Sequence, residues 1–165
     1  MQYGGNAVPY LKDSLEVRNY ANHLLSQIKW LKRRKPNTNI LFIGPTDLST
    51  SINGKMVTYK LLPYLNQTLK ETCITNNVAY WNMFNAMGGK NSMPKWVNAE
   101  PSLAASDYIH FSPKGAKKIA EEFNVKLFDM YNEYKGIKTK KVELEIDTNK
   151  TLIDSIQVKN KNLTN

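Results

Sequence analysis

The chain has one cysteine and two histidines, and it lacks any apolar run long enough to cross a bilayer as a helix. Each shortage removes a class of function. Cys73 cannot form an intrachain disulfide, and its place on the apolar face of a helical pattern makes it a small core residue. His23 and His110, without further cysteines or suitably spaced histidines, give no zinc-type ligand set, and His23 sits among polar residues as a surface histidine. No membrane span and no secretory leader are visible. Acidic residues are also in short supply, 14 against 23 Lys and Arg, for a net charge of +9. The excess gathers at Lys29, Lys32, Arg33, Arg34 and Lys35, where cations in the last turn of a helix complement its dipole and stay solvated. No nucleic-acid-binding signature accompanies them, and the aromatics are not interleaved with them as a stacking platform requires, so nucleic acid is not an expected partner. A basic surface would favour an anionic cell-wall or polysaccharide substrate through salt-sensitive attraction.

What is present is ordinary for a folded domain: 165 residues, 41% hydrophobic and 22% charged. Ser14 to Lys35 places Val17, Ala21, Leu24, Leu25, Ile28 and Leu31 on one helical face, with Ser14 as the N-cap and Pro36-Asn37 as the stop. The run 39–43 reads as a buried strand closed by Gly44-Pro45, and Thr46 to Lys55 as a polar loop. Leu61, Leu62, Leu65, Leu69 and Cys73 mark a second helix, and 78–81 a second strand. Alternating strands and helices predict an α/β fold, a parallel sheet with helices on both faces. In such a sheet the loop after a strand borders the ligand site, so Pro45, Thr46 and Asp47 are candidate substrate-binding residues. Met83, Phe84, Met87, Met93, Trp96 and Val97 read as packing, with Gly88-Gly89-Lys90-Asn91 as a turn that lacks the spacing of a phosphate loop. From Pro113, the positions Ala116, Ile119, Ala120, Phe123, Leu127, Met130, Tyr131 and Tyr134 give a long helical face that ends before Gly136. Residues 137–165 form a polar extension. Within it Val142, Leu144 and Ile146 alternate with charges like an edge strand, Ile153, Ile156 and Val158 hint at another, and the ends are expected to fray.

Asp107-Tyr108-Ile109-His110, entering the helical run at Phe111-Ser112-Pro113, places a carboxylate three residues before an imidazole. A carboxylate that accepts from one imidazole nitrogen fixes the tautomer and leaves the other free to take a proton from a hydroxyl. Near the start, Gly4-Gly5-Asn6-Ala7 follows what reads as the end of a strand. Two glycines let the backbone approach a substrate, and the Asn6 amide can donate to a developing oxyanion.

With these two motifs in this order, and with 42–49 (FIGPTDLS) and 80–89 (YWNMFNAMGG) between them, the chain resembles the SGNH (GDSL-type) serine esterases, in the branch similar to bacterial peptidoglycan O-acetylesterases. The resemblance covers residues 1 to about 134. It implies a three-layer α/β/α domain over 1–136, incomplete at its N-terminus. It implies a carboxylic ester hydrolase acting on acyl esters such as O-acetyl groups of a cell-wall carbohydrate, needing no cofactor and working in the periplasm or outside the cell. His110 would be the general base, Asp107 its orienting partner, Asn6 and Gly4 oxyanion-hole residues, and Gly5 a substrate contact. Ala7 stands where the family's turn usually ends in Asp. The family's Gly-Asp-Ser-Leu-like nucleophile block and a second block with a further oxyanion glycine are both missing. The chain's own serines read as caps, helix surface or loop residues. The resemblance therefore implies the C-terminal portion of a longer esterase, with the missing N-terminal part as a partner and little activity alone. The alternative is a non-catalytic carbohydrate-binding or interaction module on the same scaffold.

Overall fold

The computed structural model describes residues 1–137. In chain order, a 3-10 turn at Gly5–Tyr10 leads to α1 (Ser14–Arg34), β1 (Leu41–Ile43), β2 (Ser49–Ile52), β3 (Lys55–Thr58), α2 (Leu62–Thr75), β4 (Ala79–Trp81), the short helices α3 (Met83–Ala86) and α4 (Ser92–Val97), and α5 (Pro113–Tyr134). The expected strands at 142–146 and 153–158 lie outside the described residues.

The architecture is α/β, with a small parallel sheet. β1 pairs in parallel with β4, Phe42 opposite Tyr80 and Ile43 opposite Trp81. A third strand position is occupied by the chain's first residues. Gln2 bridges Ile43 in parallel, the Met1 amine donates to the Leu41 carbonyl at 2.8 Å, and Ile43 N–H donates to the Met1 carbonyl at 2.8 Å.

Successive strand residues point to opposite faces of a sheet, and here they feed two separate cores. Phe42 and Tyr80 stack with ring centroids 5.9 Å apart and join the core formed by Val17, Ala21, Leu24 and Ile28 of α1 with Leu62, Leu65, Leu69 and Cys73 of α2. Ile43 and Trp81 face the other core, built from Met83, Met87, Met93, Trp96 and Ile119. Trp81 meets Phe123 of α5 edge-to-face at 4.9 Å. The periodic faces of α1 and α2 and the Met-rich packing segment are thus buried as the pattern predicts, and Cys73 is fully buried.

Four expectations are corrected. The N-cap of α1 is Asp13, whose Oδ1 accepts from Leu15 and Glu16 N–H at 2.8 and 2.9 Å; Ser14 is the first helical residue. A carboxylate at this position satisfies two of the helix's orphan donors at once. The segment 46–55 is not a loop, because most of it belongs to the antiparallel hairpin β2–β3. Asn53 (φ 50) and Gly54 (φ 75) supply the two left-handed residues that a tight hairpin turn demands. Pro45 and Asp47 are buried rather than bordering solvent. In α5, Ile119 is buried and Phe123 half-buried, but Ala116 and Ala120 are exposed, as are Leu127, Met130, Tyr131 and Tyr134. The described residues fall into two compact units, Met1–Lys126 and a second that begins at Leu127. Everything below concerns the first.

Candidate functional site

The loop 105–112 is held by its own backbone. Ala105 N–H donates to the His110 carbonyl at 2.8 Å, Tyr108 N–H to the Ala105 carbonyl at 3.1 Å, and Ala104 bridges Phe111. Tyr108 takes a left-handed conformation (φ 59) that a bulky side chain rarely adopts. Its carbonyl accepts from Ser49 N–H at 3.1 Å, which ties the loop to β2. After the loop, Ser112 caps α5: its hydroxyl accepts from Gly115 N–H at 3.2 Å and donates to the Ser102 carbonyl at 2.7 Å. A Cβ on Gly115 would run into the Leu103 carbonyl, so only glycine lets α5 start this close to the loop.

Within that frame the Asp107 carboxylate is used twice over. Oδ2 lies 2.7 Å from His110 Nδ1, and Oδ1 accepts from the N–H groups of Ile109 and His110 at 2.9 and 3.0 Å. The imidazole hydrogen bond, reinforced by those two backbone donors, holds the Asp107 carboxyl down at about 2. With Nδ1 engaged, Nε2 of His110 is the nitrogen left for proton transfer, and the ring is well exposed, at 76%.

His110 lines a cavity of about 550 Å³ together with Gly5, Asn6, Thr46, Leu48, Tyr59, Ile109 and Phe111. The structure therefore brings Asn6, Gly5, Thr46 and His110 together, from the glycine turn, the segment after β1 and the loop before α5. Gly4 is buried one step behind this wall at φ 115, and a Cβ there would press on Pro45 Cγ at 3.2 Å. Its observed job is to let the turn pack on Pro45.

Asp47 also stands apart from the cavity. Fully buried, its Oδ1 accepts from the Thr58 hydroxyl at 2.8 Å and its Oδ2 from Met93 N–H at 2.8 Å and the Ser92 hydroxyl at 3.4 Å. Burial raises its pKa, with those donors pulling the other way. Thr58 and Asn91 then bond each other reciprocally: Asn91 N–H donates to Thr58 Oγ1 at 2.6 Å, and Thr58 N–H to Asn91 Oδ1 at 3.1 Å. Sequence reasoning missed this knot, because its members are up to 46 residues apart.

No serine among the described residues lines the cavity. Ser26 bonds back to the Asn22 carbonyl, Ser102 to the Val97 and Ala104 carbonyls, and Ser92 faces Asp47. Ser49 is buried with its hydroxyl unpartnered, while its backbone holds the His110 loop. Among the described residues no cluster of three or more His, Cys, Asp or Glu could hold a metal ion, and no helix is long and apolar enough to cross a membrane.

The fold and the placement of these residues define an α/β domain with a loop-borne Asp-His pair beyond the strand ends. A solved structure of a peptidoglycan O-acetylesterase, described as caught in action, superposes on this chain with a TM-score of 0.70 and 24% identity, covering 80% of this chain. At that identity the likeness is one of fold. The chain spans 37% of the length of that neighbour. No protein-family model matches the sequence, and no curated protein matches it.

Proposed function

We propose that these residues form the acid-base half of a serine esterase site acting on acyl esters, with O-acetyl groups of a cell-wall carbohydrate as the substrate class. The observation that carries the reading is the 2.7 Å Asp107–His110 contact at the rim of a cavity that Asn6 also lines. In this reading His110 Nε2 removes the proton from a serine hydroxyl as it attacks the ester carbonyl. Asp107 stabilises the imidazolium, and Asn6 donates to the oxyanion. His110 then returns the proton to the departing alcohol. Gly5 and Thr46 contact the substrate, while Gly4, Pro45 and Asp47 support the wall from behind. In this reading the nucleophilic serine is supplied from outside the described residues, none of whose serines lines the cavity. By the same reading the intact enzyme works in the periplasm or outside the cell.

The test is hydrolysis of p-nitrophenyl acetate by this chain alone, by a chain extended upstream through a strand-turn block carrying a serine, and by the extended chain with His110→Ala. The expected result is activity only in the extended form and its loss with His110. An extended form whose activity is indifferent to His110→Ala would sink the proposal. That no serine among the described residues lines the cavity also fits a second reading, a carbohydrate-binding or interaction module on an esterase scaffold. It predicts saccharide binding with no turnover in any form.

A further inference from the structure

Beside the His110 cavity lies a second one, of about 600 Å³, and Tyr59 forms part of both. Its wall is made by the β2–β3 hairpin and the turn before α4, and it carries three ammonium groups, Lys55, Lys60 and Lys90, with no carboxylate among its lining residues. Among the described residues none of the three lysines has an ion-pair or hydrogen-bond partner for its side chain. The surface ion pairs found there are elsewhere, at Lys117–Glu121 and Lys118–Glu122 on α5. Asp47, which holds Thr58 of this wall, is buried and spent on Thr58, Ser92 and Met93. The wall is also fixed: the Asp47–Thr58–Asn91 chain of hydrogen bonds locks the hairpin to the turn that carries Lys90. Three cations with no counter-charge among the described residues, on one concave wall, raise the local concentration of anions. The amide of Asn53 adds a neutral hydrogen-bonding group, and Val57, Tyr59 and Pro63 add apolar surface. That mixture suits a sugar ring bearing an acidic group better than a bare ion, and the volume lies in the range of a small-molecule site.

We propose that this cavity is a subsite for an anionic saccharide unit, a sugar carrying a carboxylate, which places the neighbouring unit of the same chain in the His110 cavity across Tyr59. The inference depends on the esterase reading only for what happens next door, since binding in the lysine cavity needs no turnover. The two therefore fail separately.

The experiment is calorimetric titration of the 165-residue chain with an oligouronate, a neutral oligosaccharide of equal length, a phosphate-bearing oligosaccharide, inorganic phosphate and a single-stranded oligonucleotide. Each is repeated with the triple variants K55Q/K60Q/K90Q and K55R/K60R/K90R. Expected are a preference for the oligouronate over the neutral sugar, roughly tenfold weaker binding in the glutamine variant, retention in the arginine variant, and weakening by added salt. Equal binding of neutral and acidic saccharides, or binding unchanged in the glutamine variant, overturns the subsite. Preference for the phosphate-bearing sugar overturns the carboxylate assignment, and tighter lysine-dependent capture of the oligonucleotide overturns the saccharide assignment. Ester hydrolysis without lysine-dependent binding removes the subsite and leaves the esterase reading. Lysine-dependent binding without hydrolysis in any form does the reverse.

Discussion

Asp47 and Asp107 are both carboxylates fixed by several donors, yet one is sealed in the protein and the other half open to water. Asp47 gathers Thr58, Ser92 and Met93 from distant parts of the chain, and burial still leaves its pKa raised. Asp107 gathers only its own neighbours, Ile109 and His110, and is pushed down to about 2. The difference separates two uses of one side chain. A carboxylate that organises long-range structure tolerates an unfavourable ionisation because removing it strands its donors. The carboxylate that the proposed mechanism assigns to proton transfer is held ionised, local and accessible.

The largest effect expected from breaking the comparison is on rate. In an active form of the enzyme, Asp107→Asn would cost on the order of 10⁴ in kcat, by analogy with a triad whose imidazole loses its orienting carboxylate. His110→Ala would cost at least as much. Thermal melts of both variants should stay within about two degrees of the parent, since exposed side chains contribute little to stability. Ester hydrolysis and melting measured on the same samples check both halves. A melting temperature lowered by Asp107→Asn as far as by loss of Asp47 would erase the distinction.

Asp47→Ala should do the opposite. It leaves the Thr58 hydroxyl and Met93 N–H buried without an acceptor, which costs about 3 kcal/mol, or roughly 6–12 °C in melting temperature for a domain of this size. Because the same knot fixes the lysine-lined wall, oligouronate binding should weaken with it. Asn6→Ala comes next, with a loss of roughly 10²-fold in kcat and no change in melting, the usual cost of one oxyanion donor. A comparable loss in KM alone would instead make Asn6 a ground-state substrate contact.

Much of the scaffold was legible because it follows from periods and local chemistry. Val17, Ala21, Leu24 and Ile28 repeat at helical spacing and are buried where the repeat puts them. The short apolar runs at 39–43 and 78–81 contain the parallel pair, Leu41–Ile43 and Ala79–Trp81. The Asp107–His110 contact was legible too, being three residues long. The hairpin was overlooked although its signal was present, Asn53-Gly54 between two short strands. The roles of Asp47 and Pro45 were not legible: position after a strand predicts a ligand-facing loop, whereas their burial depends on Thr58, Met93 and Gly4, which only the folded chain brings near. For α5 the pattern shows which side is apolar, but not which of its positions are covered: Ile119 is buried whereas Ala116 and Ala120 are exposed.

The smallest effect is also the sharpest test of the comparison, because the two carboxylates should bend the pH dependence of stability in opposite directions. Asp107 has a folded pKa below the ordinary carboxylate value of about 4. It therefore contributes stability that is present above that value and is lost as the pH falls through about 2. Asp47 has a folded pKa above its unfolded value, so its contribution is fullest below the unfolded value and declines as the pH rises through the folded one. Melting temperatures of the parent, Asp107→Asn and Asp47→Asn between pH 2 and 7 isolate the two contributions. The gap between the parent and Asp107→Asn should close on acidification, while the parent's stability relative to Asp47→Asn should rise. If both gaps closed together, the Thr58, Ser92 and Met93 donors would outweigh burial at Asp47. It would then be a depressed carboxylate like Asp107, differing from it only in how far its partners lie along the chain.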